Sequence, residues 1–211
     1  MTTTIRLVCL FFAATAAPMM LQAGDITPAG EKLLQYLDGM NVEELWKAGD
    51  IVEWKTGKSI KTATDNKPHT HCSAFAAAVA ANQNVYLLRP PEHSTVMLAN
   101  AQADWLPVEG KKKGWKVVES GELAQGLANK GQLVVAVYRE PGDRKSGHIA
   151  VVRPCDKSPK DLKAEGPQIT QAGMKNMNSA PLKTGFKAHP AAWENGGIKY
   201  HVHELTWLPT N

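Results

Sequence analysis

The chain has 211 residues, a formal net charge of +4, 43% hydrophobic side chains and 21% charged ones. That length suits one ordinary domain with a short appendage, and the balance excludes both a disordered chain and a bundle of membrane spans. The basic residues form no dense clusters interleaved with aromatics, which argues against a nucleic-acid surface.

Arg6 is the only charge before Asp25 and precedes the apolar run from Leu7 to Ala17. A basic start, an apolar stretch of about ten residues and small residues after it describe a secretory signal peptide. Ala14-Thr-Ala16 and Leu21-Gln-Ala23 both offer a cleavage site; with the second favoured, residues 1–23 are expected to be removed, taking Cys9 with them. Residues 24–211 carry no internal repeat or linker and are read as a single exported domain, periplasmic or secreted.

Leu33, Leu34, Leu37 and Met40 recur at helical spacing between Pro28 and Met40. Asn41 with Glu44 has the form of a capping box, predicting a short helix that carries Leu45 and Trp46 and stops at Gly49. The Ala-rich run Ser73–Ala81 predicts a helix able to pack closely on a sheet. Another helix is expected over Ser94–Ala103. Residues 114–119 read as a strand, followed by a helix capped by Ser120 and ended at Gly131. Leu133–Tyr138 and Gly147–Arg153 predict two strands joined by a hairpin-length loop. A third strand is expected over Pro167–Ala172 and a last one from Ile198 to Leu205. Helices early and an antiparallel sheet late predict an α+β fold.

Chemistry concentrates at three points of this frame. Cys72 falls where a loop enters the Ala-rich helix, and a helix N-terminus favours thiolate over thiol. His148 opens a strand behind Gly147, placed to accept the thiol proton and later protonate a leaving amine. Gln171, on the next strand, is of a type that orients an imidazole, with Gln168 on the opposite face and Asn176 or Asn178 as neighbours able to do the same. His69 and His71 flank the cysteine in a loop. His201 and His203 share one strand face as a possible metal pair without a third ligand nearby. Lys111–Lys113 reads as a solvated turn. Residues 54–59 end like a phosphate loop but lack the first glycine.

The blocks His71-Cys-Ser-Ala-Phe-Ala76, Gly147-His-Ile-Ala-Val-Val152 and Ile169-Thr-Gln-Ala-Gly173 resemble, in order and spacing, the papain-like cell-wall hydrolases of the NlpC and CHAP type. The resemblance covers residues 72–173. His71 stands where members often carry an acidic residue, and Gln171 replaces the more usual His, Asn or Glu. The resemblance implies a papain-like α+β domain with Cys72 as nucleophile, His148 as base and Gln171 as orienter. It implies no metal and no cofactor, and a substrate among the amide bonds of peptidoglycan stem peptides. The alternative reading is a non-catalytic secreted binding or inhibitor domain stapled by a Cys72–Cys155 disulfide.

Overall fold

The computed structural model describes residues 24–207 except 66, 143 and 144. The expected signal segment, with Cys9, lies outside the described residues. Helix α1 (Pro28–Gly39) comes first, then a small hairpin of β1 (Asp50–Val52) and β2 (Ser59–Thr62). Helices α2 (Cys72–Asn82) and α3 (Leu98–Trp105) follow, the latter running into a single π-helical turn at Leu106–Gly110. Next in order are β3 (Lys116–Val118), α4 (Gly121–Asn129), β4 (Leu133–Tyr138) and β5 (His148–Val152). The chain continues through α5 (Pro159–Glu165), β6 (Gln168–Gln171), β7 (Met177–Pro181), α6 (Leu182–Gly185) and α7 (Pro190–Glu194), and then β8 (Lys199–His203). Six strands form one antiparallel sheet in the order β3-β8-β4-β5-β6-β7. The architecture is α+β.

Strands β4 and β5 have no polar–apolar alternation because both of their faces are covered, and every residue in them is buried. Leu133, Val135 and Val137 of β4 point with Ile149 and Val151 of β5 into the core shared with α1 and α2. Val134, Ala136 and Tyr138 point with Ala150 and Val152 into the other core, closed by residues of α4, α6 and α7. Such two-faced burial fixes register, since a one-residue slip would exchange both sets. Helix α2 is apolar all round and buried from Cys72 through Ala80, as a helix between layers must be. Its alanines let it lie close against β5.

Most expected elements form within a few residues of their predicted bounds. Ser120 caps α4 by accepting from the Leu123 amide at 3.2 Å. The helix expected after Asn41 does not form. Asn41 and Trp46 adopt left-handed backbone (φ 53° and 51°), and residues 41–49 make turns instead. Burial of Trp46 overrides the capping box. Its ring packs edge-on to Phe75 at 5.2 Å, its Nε1 donates to the Trp54 carbonyl, and its amide donates to Gly57. A Cβ on Gly57, itself at φ +70°, would stand 2.2 Å from the Trp46 ring. The helix expected from Ser94 starts at Leu98, because Met97 is left-handed (φ 55°).

His201, in the middle of the sheet, is buried with an unpartnered Nδ1, and burial pushes its pKa from 6.5 down to about 4. Burial also lowers those of His71, His148 and His189. A folded state with lowered histidine pKa values binds fewer protons than the unfolded chain below pH 6.5. Stability is therefore full above that value and is lost as pH falls toward 4. Thermal unfolding followed by circular dichroism should show a falling Tm across this window. The His201→Leu protein should keep more of its neutral-pH stability, by roughly 3 kcal/mol at pH 4. An identical fall in both proteins would place the acid sensitivity elsewhere.

Candidate active site

Cys72 is the first residue of α2, and its sulfur faces the backbone amide of Ile149, the residue after His148, as well as the Ser73 amide and its own. This places the thiol at the end of β5 where His148 begins. The ends of the β4–β5 connection are held together beside this site. Asn100 of α3 accepts from the Gly147 amide at 2.8 Å and the Glu140 amide at 3.2 Å, clamping both ends of the β4–β5 connection. Gly147 has no room for a side chain, since a Cβ would meet the Tyr138 carbonyl oxygen at 2.1 Å.

His148 Nε2 lies 2.7 Å from Gln171 Oε1. The Gln171 amide nitrogen points at the Lys175 carbonyl, 3.4 Å away, which sets the amide so that oxygen faces the imidazole. His148 therefore carries its proton on Nε2 and leaves Nδ1 as the basic nitrogen. Strand alternation resolves the two glutamines: Gln168 turns outward to donate to Ser179 Oγ at 2.8 Å. Asn176 is committed to Val42, Leu45 and Trp46 carbonyls, and Asn178 to Asp38 and Arg153, so neither orients the histidine.

Sequence reasoning missed the groups around His148. Phe186 packs edge-on to its ring at 4.7 Å between centroids, and His189 stacks on it at 5.9 Å with 13° between planes. His189 Nδ1 donates to Glu140 Oε2 at 2.7 Å. No local pattern marks Phe186, His189, Glu140 or Asn100, because they come from separate segments that only the tertiary fold gathers.

Electrostatics overturn one expectation. Burial drives the Cys72 thiol above its ordinary pKa, against the opposing pull of the Ile149, Ser73 and Cys72 amides. A helix end is worth about 0.3–1 kcal/mol to an anion, whereas full desolvation of a charge moves a pKa by up to 3–5 units. Burial also holds His148 below its ordinary value, against the bond to Gln171. The resting pair is neutral thiol and neutral imidazole, not thiolate and imidazolium. Cys72, His148 and Gln171 expose 5%, 7% and 3% of their surfaces, which shields them from bulk water. Two surface cavities, of about 380 and 270 Å³, lie beside Trp46 and beside Trp193, and none of the three residues lines either.

Other expected site residues fall elsewhere. His69 pairs with Asp65 on the surface loop, and His71 Nε2 donates to the Asp50 carbonyl at 2.9 Å. Both nitrogens of His203 lie on backbone carbonyls, so it forms no metal pair with His201. Lys112 pairs with Glu109 on the surface. Cys72 and Cys155 are both free; Cys155 sits beyond the far end of β5, fastened to Asn129 through its backbone. The Cys72–Cys155 staple is therefore not formed. No protein-family model matches the chain, and no curated protein matches it.

Folded protein treated with iodoacetamide at pH 7.5 should be modified at half-buried Cys155 before Cys72. Cys72 alkylation should accelerate as pH rises past the ordinary thiol range. Peptide mass mapping over time reads both sites, and faster labelling of Cys72 at neutral pH would restore the thiolate expected from the helix end.

Proposed function

We propose that this chain is an exported cysteine amidase or peptidase of papain-like design that hydrolyses amide bonds in peptidoglycan stem peptides. The single observation that carries the reading is the His148–Gln171 pair at the start of β5, with the next amide on that strand facing the Cys72 sulfur. Nucleophile, base and orienter then come from α2, β5 and β6, the order in which the sequence motifs occur. The wall substrate and the export are carried by the motif resemblance and by the N-terminal pattern.

The chemistry follows from the neutral pair. As the substrate carbonyl arrives, the Cys72 thiol gives its proton to His148 Nδ1, and the sulfur attacks the carbonyl carbon. Backbone N–H groups at the start of α2 are suited to stabilise the oxyanion. The proton on Nδ1 passes to the nitrogen of the breaking C–N bond, and the amine leaves a thioester on Cys72. His148 then takes a proton from water, hydroxide attacks the thioester, and the returning proton restores the thiol as the acid product leaves. Gln171 holds the ring in one tautomer throughout. The balance needs no cofactor.

Purified protein should release new amines from sacculi or defined stem peptides. Cys72→Ala and His148→Ala should reduce this to background while circular dichroism shows a folded chain. Gln171→Ala should retain partial activity, about 10–100-fold down, because it acts only through His148. The acid limb of kcat/KM should fall below pH 6.5, since burial lowers the His148 pKa. Undiminished activity in Cys72→Ala would defeat the assignment.

A further inference from the structure

Three aromatic side chains from separate elements gather around Tyr86 and Arg89. Trp54 lies in the β1–β2 turn, Tyr86 follows α2, and Trp105 ends α3. Tyr86 and Trp105 are 5.6 Å apart between centroids. Arg89 sets its guanidinium carbon 4.7 Å from the Tyr86 ring centroid and 5.7 Å from that of Trp54. All four residues are half-buried.

The position relative to Cys72 is fixed by Gln102, which is fully buried. Its Nε2 donates both to the Ser73 carbonyl at 3.1 Å and to the Leu88 carbonyl at 2.9 Å. The residues adjoining Cys72 and Arg89 are thus held by one amide group, which ties the Arg89 segment to the first turn of α2. Trp115 fixes the same segment from the other side by donating to the Tyr86 carbonyl at 2.8 Å.

Among the described residues Arg89 forms no salt bridge and donates no hydrogen bond. Exposed Glu92, three residues on, is near enough to act on Tyr86 but makes no ion pair with Arg89. A guanidinium resting on rings has lost much of its rotamer freedom while keeping its N–H edge unspent. Binding a planar anion there costs less ordering than at a free surface arginine.

We propose that Arg89, held by Tyr86 and Trp54, is a carboxylate anchor for an acidic peptide whose neighbouring amide lies at Cys72. This rests on the amidase reading above and adds to it a substrate feature: a free carboxylate close to the scissile bond. A bidentate guanidinium–carboxylate contact supplies the recognition, and the aromatic wall covers the apolar part of the peptide.

The test separates binding from turnover. Cys72→Ala protein is titrated calorimetrically with a stem tetrapeptide in free-acid form and with the same peptide amidated at its side carboxylates. The free acid should bind about tenfold tighter than the amidated peptide. Adding Arg89→Gln should erase that preference and leave affinity for the amidated peptide unchanged, and Arg89→Lys should recover part of it. In the active enzyme Arg89→Gln should raise KM for the free acid about tenfold with kcat little changed. The preference surviving in both Arg89 variants overturns the anchor, as does an absence of binding by either peptide. Arg89-dependent binding by a wild-type protein that cleaves nothing would sustain the anchor and remove the amidase reading.

Discussion

Helix α2 can lie flat on β5 because most of its sequence is methyl groups. Six of the residues from Cys72 through Ala81 are alanine, and the segment to Ala80 is buried without a polar face. Larger side chains would hold the helix off the strand, and the Ile149 amide would no longer face the Cys72 sulfur. The rest of the site is hung on that contact. β5 is pinned by β4 on one side and β6 on the other, so His148 and Gln171 take positions dictated by sheet register.

Burial decides the charge state of the site. Helix dipole and backbone amides favour an anion at Cys72, and Gln171 favours a proton on His148, but desolvation outweighs each of them. A neutral pair in a dry setting spends nothing on maintaining separated charges at rest. Charge appears only when a substrate brings groups that stabilise it. The stacked His189 adds to this, because a proton on either imidazole opposes one on the other.

The sequence made the central strands legible through unbroken runs of valine, isoleucine and alanine, bounded by glycine and by Pro141-Gly142. Strand alternation put Gln168 and Gln171 on opposite faces, and the fold shows Gln171 to be the one that pairs with His148. Long-range facts were not legible. No local signal put β8 between β3 and β4, although its existence was readable from residues 198–205. The segment after Asn41 carried a proper capping pattern, yet the indole of Trp46 found a better place against Phe75 and Gly57. The thiol's charge state was misread for a related reason: a helix start is visible in sequence, whereas the depth at which it is buried is not.

The clamp made by Asn100 has a consequence for how this fold tolerates change. One side-chain oxygen receives both the Glu140 and the Gly147 amides, so the two ends of the β4–β5 connection are tied to each other. Insertions between Glu140 and Gly147 would lengthen an outer loop without moving His148. A deletion that reached either amide would release the strand's first residue instead. Relatives of this chain should therefore vary freely in the tip of that loop while keeping an amide or carboxylate oxygen at position 100.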